Sequence, residues 1–168
     1  IKNYLLIAFL GGLSILAMVF FVVALIYPTL PNISHLEKYY PKQPLQIYSK
    51  NEVLIAEFGE ERRDFIAISE TPQQMINAIL SIEDRRFFEH PGIDIIGITR
   101  AALKNISGKS HEGASTITMQ VARNFFLTSE KTLKRKINEI LLAIKIERTL
   151  SKEEILELYV NQIYLGQR

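Results

Sequence analysis

The sequence predicts a mainly α-helical protein with one membrane-spanning helix at its N-terminus and a short β-hairpin before the remaining helices. Three observations support this: a long uncharged N-terminal run, two short β-prone runs near residue 50, and helix-start residues followed by apolar periodicity beyond Thr71. The 168 residues suffice for one domain and an appendage. A hydrophobic share of 48% places some apolar residues outside a soluble core.

The N-terminal run is predicted to be a retained membrane anchor over residues 4–27. No charged residue occurs from Tyr4 to Tyr27, and a helix of this length crosses about 30 Å of hydrocarbon. The two tyrosines suit the two interfaces of a bilayer. A secretory signal is the alternative, but the run is too long for one and no small-residue cleavage site precedes Pro28. Residues 1–3 are then a short cytoplasmic stub. Lys2 is the only charged residue before the span, so charge leaves the orientation of the helix in the membrane open.

Composition excludes several kinds of chemistry. The chain has no cysteine, so it forms no disulfide and uses no thiolate. Its net charge of +2 is too small to indicate nucleic-acid binding.

Residues 28–44 carry four prolines and mixed charge, which predicts a juxtamembrane linker. Residues 45–70 form a predicted β segment. Two runs, 45–48 and 53–58, flank a four-residue connection and predict a hairpin, and residues 65–68 are a candidate third strand.

A helix is predicted to begin at Thr71, with Pro72 in its first turn and Gln74 closing a capping box, and to end at residues 90–92. At helical spacing Glu83 falls within an apolar stripe, so we expect it to be buried with a raised pKa, as a general base requires. Pairing with Arg86 in a purely structural role is the alternative. The stripe consists of Ile76, Ile79, Leu80 and Phe87.

Four more helices follow. Asp94 caps one over 95–106, a polar loop covers 107–115, and Ser115 or Thr116 caps a helix to about residue 126. A long helix ends near residue 150, and Ser151 opens the last with a capping box. Residues 71–168 form the predicted helical domain. On the 95–106 helix, the predicted inward face is Ile95, Ile98, Ala102 and Leu103.

Glu139 lies on the long helix among basic residues and is predicted to point away from the apolar stripe of Leu133, Ile137, Ile140, Leu141 and Ile144. A surface ion pair with Arg135 is one interpretation. A phosphate site is a second and contact with anionic lipid headgroups a third. The basic residues are Arg123, Lys131, Lys134, Arg135 and Lys136.

Small hydroxyl residues at 113–118 precede a helix, where an anion or a sugar hydroxyl binds well, although plain capping also explains them. His90 lacks the partners for a metal cage or a hydrolase triad, so we expect it to hydrogen-bond the last carbonyls of its helix.

Four stretches follow one another in the order 83–92 (EDRRFFEHPG), 113–120 (GASTITMQ), 135–139 (RKINE) and 152–161 (KEEILELYVN). In order and spacing they resemble the glycosyltransferase domain of peptidoglycan synthases, the family shared by class A penicillin-binding proteins and monofunctional glycosyltransferases. Met119 stands where glutamine is usual, and Val160 where leucine is. Residues 57–63 look like the 1A type in particular.

This resemblance implies a lysozyme-like helical lobe beside a smaller lobe that dips into the membrane. It implies lipid II and the growing glycan strand as substrates, with Glu83 as the catalytic base and Glu139 at the donor diphosphate, where Mg²⁺ or Mn²⁺ is a possible cofactor. Substrate-binding residues by this likeness are Ser115, Thr116, Thr118, Gln120, Arg123, Lys131, Arg135 and Lys136. Residues that hold the motifs in shape are Asp84, Phe87, His90, Gly92, Glu157 and Asn161.

The resemblance also implies a single-pass protein of the bacterial inner membrane with its catalytic domain on the periplasmic face, able to contact cell-wall synthesis or division proteins. A fifth motif and a Ser-x-x-Lys transpeptidase signature are absent from these residues, so by this likeness the glycosyltransferase domain at 71–168 is incomplete at its C-terminus and the parent protein is longer. A glycan-cleaving lysozyme-like enzyme and a silent membrane-tethered scaffold are the alternatives.

Overall fold

The computed structural model describes residues 2–41, 44–59, 64–106, 113–128 and 130–163. Six α-helices and two strands lie in these ranges, in agreement with the predicted mainly α class. In chain order they are α1 (Lys2–Ile26), β1 (Leu45–Tyr48), β2 (Leu54–Phe58), α2 (Gln73–Glu83), α3 (Ile95–Ile106), α4 (Ile117–Phe126), α5 (Leu133–Glu147) and α6 (Lys152–Gln162).

The hydrophobic core lies among α4, α5 and α6, with α2 packed at its side. Each of these helices presents apolar residues at spacings of three and four, which is what forms a buried face. Each fully buried aliphatic side chain contributes about 1.5–3 kcal/mol. The most deeply buried members are Ile117, Val121, Leu142, Ile146 and Ile155.

Helix α1 exposes its apolar side chains, as at Phe20, which is 75% exposed. The segment Tyr4–Thr29 is long and apolar enough to span a membrane, with a mean hydropathy of 2.7. This candidate span overlaps the predicted anchor at 4–27. At its C-terminal end Val23 and Ile26 pack against the core of the helical domain.

The segment predicted to be a linker packs against the helical core. Leu30, Ile33 and Leu36 are buried there, at a spacing of three that suits the 3-10 turns of this region. Lys145 Nζ donates to the Pro31 carbonyl at 2.8 Å, and Tyr39 Oη donates to Gln162 Oε1 at 2.9 Å. The prolines correctly predicted turns. The apolar side chains at 30, 33 and 36 attach the segment to the helical domain, which the prolines did not indicate.

The hairpin is confirmed, with β1 and β2 antiparallel and Leu45 opposite Phe58. Strand β2 begins at Leu54, because the register shifts beside Tyr48. The prediction of a third strand at residues 65–68 is wrong. Residues 64–67 are irregular, and the Asn161 amide takes the place of a neighbouring strand by bonding both the N–H and the carbonyl of Ile66 at 2.9 and 2.8 Å.

Helix α2 differs from its prediction at both ends. Pro72 is the N-cap residue, while the Thr71 hydroxyl donates to the Ala67 carbonyl at 3.2 Å. The helix ends at Glu83, and a separate 3-10 turn covers Phe87–Glu89, so the predicted stop at residues 90–92 is wrong. The cause is Asp84, whose backbone leaves the helix as its side chain turns into the core.

The other predicted caps are confirmed. Asp94 accepts from the Gly97 N–H at 2.8 Å, Thr116 accepts from Met119 N–H, and Ser151 and Glu154 form a complete capping box. The predicted inward face of α3 is wrong: its buried residues are Gly97 and Ala101, and all four residues predicted to face inward are exposed. The polar loop at 107–112, residues 60–63 of the predicted charged turn, Ser129 and residues 164–168 lie outside the described residues.

Candidate active site

Glu83 is the last residue of α2, and its carboxylate is exposed. The Gln120 amide on α4 donates to Glu83 Oε2 at 2.8 Å. The prediction that Glu83 is buried is wrong, because the helix ends there and Phe87, four residues later, is no longer on the same helical face. The predicted partner Arg86 turns instead to Asp94.

Asp84 is buried directly behind this carboxylate. Its Oδ1 lies 2.9 Å from His90 Nε2, and its Oδ2 accepts from the Ile117 N–H at 3.0 Å. Asp84 therefore joins the residues after Glu83 to the N-terminus of α4, where a negative charge is favoured by the helix dipole. The predicted bond from His90 to helix-end carbonyls is wrong, since its Nε2 meets Asp84. His90 Nδ1 is buried without a partner in the described part of the chain.

Gly92 closes this segment with a left-handed backbone, at φ 90°. A Cβ on this residue would lie 2.9 Å from Glu147 Cγ and 3.0 Å from the Ala143 carbonyl oxygen, so only glycine fits. Its carbonyl accepts from the Thr116 hydroxyl at 2.7 Å. Phe87, 1% exposed, fills the core beneath the same segment.

The four predicted contact residues of the second motif divide into two kinds. Ser115 and Gln120 are half-buried and accessible, whereas Thr116 and Thr118 are buried. The Thr118 hydroxyl donates to Glu147 Oε1 at 2.6 Å, away from the surface. Met119, at the position where the related motif carries glutamine, is 1% exposed and part of the core.

Glu139 is fully buried, so the prediction that it points away from the packed side of α5 is wrong. Its two oxygens accept from Arg135 Nη1 and from Lys136 Nζ, the latter at 2.6 Å. Lys136 Nζ also donates to Ser115 Oγ at 2.9 Å. The packed face contains Glu139, Leu142, Ala143 and Ile146, whereas Leu133 of the predicted stripe is 86% exposed.

A polar cavity of about 450 Å³ opens beside Glu83, between the end of α2, helix α3 and the N-terminus of α4. Three cationic side chains of its wall were not predicted from the sequence, because nothing in their positions on α3 and beside Asp84 indicated a role in the site. They are Arg85, Arg100 and Lys104, and they share the cavity with Glu83, Asp84, Ser115 and Thr116.

An ion pair between Arg86 and Asp94 fastens α3 to the segment that carries Glu83. Burial alone would raise the pKa of Asp94. The hydrogen bond from the Gly97 N–H and the contact with the Arg86 guanidinium outweigh that effect and lower it. The carboxylate therefore stays charged as it caps α3 and holds the cavity wall.

Tyr159 and Arg123 lie within electrostatic range of this site. Burial, helped by the Glu83 carboxylate, raises the pKa of the Tyr159 hydroxyl to about 12 against the opposing effect of Arg123. Arg123 is half-buried, and Lys131 is exposed ahead of α5. Glu157 and Asn161 lie away from the cavity and bind the backbone of residues 66–68, with Glu157 Oε2 accepting from Ile68 N–H at 2.8 Å.

A divalent cation does not fit Glu139 as a protein-held ion. Both oxygens of this single carboxylate already accept from cationic groups. Mg²⁺ and Mn²⁺ require several oxygen ligands. Within the described ranges, His, Cys, Asp and Glu side chains form no group of three that could hold a metal ion.

Together these features define a class: a helical enzyme domain attached to an apolar N-terminal helix, with an exposed carboxylate in a cationic polar cleft. The transglycosylase family model matches residues 51–168, and the chain belongs to this family.

Three relatives illustrate the similarity, each named penicillin-binding protein 1A. The chain is 55% identical to that of Neisseria gonorrhoeae over 84% of this chain and 18% of the relative. It is 51% identical to that of Neisseria lactamica over 94% and 20%, and 51% identical to that of Escherichia coli K12 over 85% and 17%. The chain spans about a fifth of the length of these relatives.

Proposed function

We propose that this chain is the glycosyltransferase part of a peptidoglycan synthase, which polymerises lipid II into glycan strands and releases undecaprenyl diphosphate. One observation carries the proposal: the Glu83 carboxylate is exposed at a cavity that also contains cationic and hydroxyl groups. Membership of the transglycosylase family and the similarity to penicillin-binding protein 1A support it.

Glu83 is the general base of this reaction. It removes the proton from the 4-hydroxyl of the acceptor GlcNAc, and the oxygen then attacks C1 of the donor MurNAc with inversion. Within the described ranges, the hydrogen bond from the neutral Gln120 amide orients the carboxylate and leaves its other oxygen for the substrate. A carboxylate paired with a cation would be a weaker base, because the cation stabilises its charged form.

The donor diphosphate lies against the cationic group of Arg135, Lys136 and Glu139, whose charges sum to +1. Lys136 connects this group to Ser115 at the cavity. Positive charge held in place before the reaction stabilises the departing diphosphate. Arg123 and Lys131 supply further charge. Any Mg²⁺ or Mn²⁺ would be bound by the diphosphate oxygens of the substrate, and no step of the proposal depends on it.

The proposed location is the bacterial inner membrane, with the cavity on the periplasmic side. Helix α1 is the anchor. Helix α3 adds an apolar surface that suits contact with the bilayer from which a lipid-linked substrate enters, and its exposed side chains are Ile95, Ile96, Leu103 and Ile106. Cell-wall synthesis or division proteins are further proposed partners of the parent protein.

The experiment compares Glu83→Gln with the unaltered protein and with Glu89→Gln, both in detergent with lipid II. Glu89 is the matched control because it is an exposed glutamate of the same stretch. We expect Glu83→Gln to lower the polymerisation rate about a hundredfold or more, the usual contribution of a general base, and Glu89→Gln to retain activity. Thermal unfolding of all three checks that they are folded.

The length of the glycan products distinguishes a polymerising transferase from a glycan-cleaving enzyme. Lengthened lipid-linked chains support transfer, whereas shortened fragments from isolated peptidoglycan would identify a cleaving enzyme. Normal polymer from folded Glu83→Gln contradicts the assignment of the base.

A further inference from the structure

Behind the cavity, one carboxylate and one ammonium group connect four segments of the chain. Glu147 is the last residue of α5 and Lys152 the first of α6, with side chains that are 8% and 19% exposed. Lys152 Nζ lies 2.7 Å from Glu147 Oε1. Neither residue has a role in the site that the sequence predicts.

Glu147 holds the helix that carries Gln120. The oxygen that meets Lys152 also accepts from the fully buried Thr118 hydroxyl at 2.6 Å, two residues before Gln120. Gln120 in turn donates to Glu83. The chain of contacts from Glu147 to the proposed base therefore passes through the first turns of α4.

Lys152 holds the segment that follows Glu83. Its Nζ donates to the His90 carbonyl at 2.7 Å and lies 4.4 Å from the centroid of the Phe87 ring, a cation–π distance. The backbone at Gly92 passes so close to Glu147 that a Cβ would overlap its Cγ. One ion pair thus touches both elements that set where Glu83 points.

We propose that Glu147 and Lys152 are positioning residues for Glu83. They keep residues 84–92 in register with the N-terminal turns of α4, so that the carboxylate faces Gln120 and the cavity. They act through Thr118, His90 and Phe87 and do not touch the substrate. Removing one charge leaves the other largely buried and uncompensated, which forces the surrounding groups to move.

The size of the effect follows from what a catalytic group tolerates. A displacement of about 1 Å can cost about a hundredfold in rate. A loss that comes from misplacement of the base lowers kcat and leaves substrate affinity nearly unchanged. This inference rests on the proposed function, so its test needs one measurement of rate and one that is independent of activity.

The rate experiment uses Glu147→Gln in the complete membrane-anchored protein, with Glu153→Gln as the matched control. Glu153 is an exposed glutamate one residue from Lys152. Well below the unfolding temperature, we expect Glu147→Gln to lower kcat for glycan polymerisation about tenfold or more, with KM within about twofold. Glu153→Gln keeps both constants.

Substitutions at two further sites, Thr118 and Lys152, keep the test decisive if Glu147→Gln unfolds. Thr118→Val removes one hydrogen bond and leaves the ion pair intact, with Thr149→Val as its control because the Thr149 hydroxyl donates to the Lys145 carbonyl of its own helix end. We expect a kcat loss of about two- to tenfold for Thr118→Val. Lys152→Arg, which keeps the charge, should retain more kcat than Lys152→Met.

The second measurement is amide hydrogen exchange without substrate. We expect faster exchange in residues 84–92 and 116–120 of Glu147→Gln and unchanged exchange there in Glu153→Gln. The inference is overturned if Glu147→Gln lowers only the unfolding temperature, while the folded protein keeps wild-type kcat and wild-type exchange in these segments. If the unaltered protein makes no polymer, the proposed function fails, and the exchange result still decides whether this pair positions Glu83.

Discussion

Glu83 and Glu139 are the two carboxylates that the motifs single out, and the protein surrounds them in opposite ways. Glu83 is exposed at the end of a helix, with a hydrogen bond from the neutral Gln120 amide. Glu139 is fully buried in the middle of a helix, and two cations donate to its oxygens. Because both side chains are glutamate, the difference between them lies in how the protein compensates their negative charge.

The difference assigns separate duties to the two residues. In the proposed function, Glu83 takes up a proton, which requires a carboxylate that is accessible and not tightly paired with a cation; Glu83 is exposed and has no ion pair within the described residues. A buried carboxylate that gathers Arg135 and Lys136 fixes the positions of two cations and compensates part of their charge, which describes Glu139. In the proposed function, Glu139 therefore contributes to the diphosphate site through the cations that it holds.

The largest expected effect is on stability. We predict that Glu139→Ala lowers the free energy of unfolding by about 3–5 kcal/mol, because two cations lose the carboxylate that compensates them. Glu83→Ala should lower it by less than about 0.5 kcal/mol, as is usual for an exposed residue. Urea unfolding of both variants, with exposed Glu130→Ala as the control, measures this difference. Equal losses of unfolding free energy in Glu139→Ala and Glu83→Ala would contradict the proposed difference in how the two carboxylates are compensated.

An intermediate effect concerns the ion pair that holds the cavity wall beside Glu83. The pKa of Asp94 is lowered in the folded state, so its charge stabilises the fold above about pH 4, and this stabilisation disappears as the pH falls through the folded-state pKa. We predict that Asp94→Asn, which can still cap α3, costs about 1–2 kcal/mol at pH 7. Unfolding at pH 7, 5 and 3 should show the gap to wild type closing with acid. A gap that stays constant with pH would mean that the charge of Asp94 is irrelevant.

The smallest expected effect is at the neutral partner of Glu83. We predict that Gln120→Leu changes the free energy of unfolding by about 0.5 kcal/mol or less, because water replaces the amide at an exposed carboxylate. The same urea titration measures it beside Glu139→Ala. A loss as large as that of Glu139→Ala would show that Glu83 depends on a single contact as strongly as Glu139 depends on two cations.

Local signals predicted much of the helical framework. The hydroxyl and carboxylate caps at Asp94, Thr116 and Ser151 form as expected, because a cap depends only on the residues of its own first turn. The hairpin follows from two short β-prone runs and the turn residues between them. Residues of the first three motifs meet, since Gln120 donates to Glu83 and Lys136 donates to Ser115, whereas Glu157 and Asn161 of the fourth motif lie away from the cavity.

The errors come from interactions between distant segments. Periodicity placed Glu83 inside and Glu139 outside, and both are reversed. The first error arises because Asp84 ends α2 in order to reach Ile117 and His90. The second arises because Arg135 and Lys136 make a buried glutamate acceptable on a face that contains Leu142 and Ile146. The spacing of apolar residues in the sequence does not predict that two cations will compensate the charge of a buried glutamate.

By itself the sequence determined the class of the protein, its apolar N-terminal helix, the caps of its helices and the family to which it belongs. These follow from residue order within a few turns and from the spacing of four motifs. Only the tertiary structure decided which carboxylate is exposed and which cations are paired. It also decided that Glu147 and Lys152 connect α4 to the segment that follows Glu83. Burial and charge pairing are properties of contacts between segments far apart in the chain, and these contacts exist only once the helices pack.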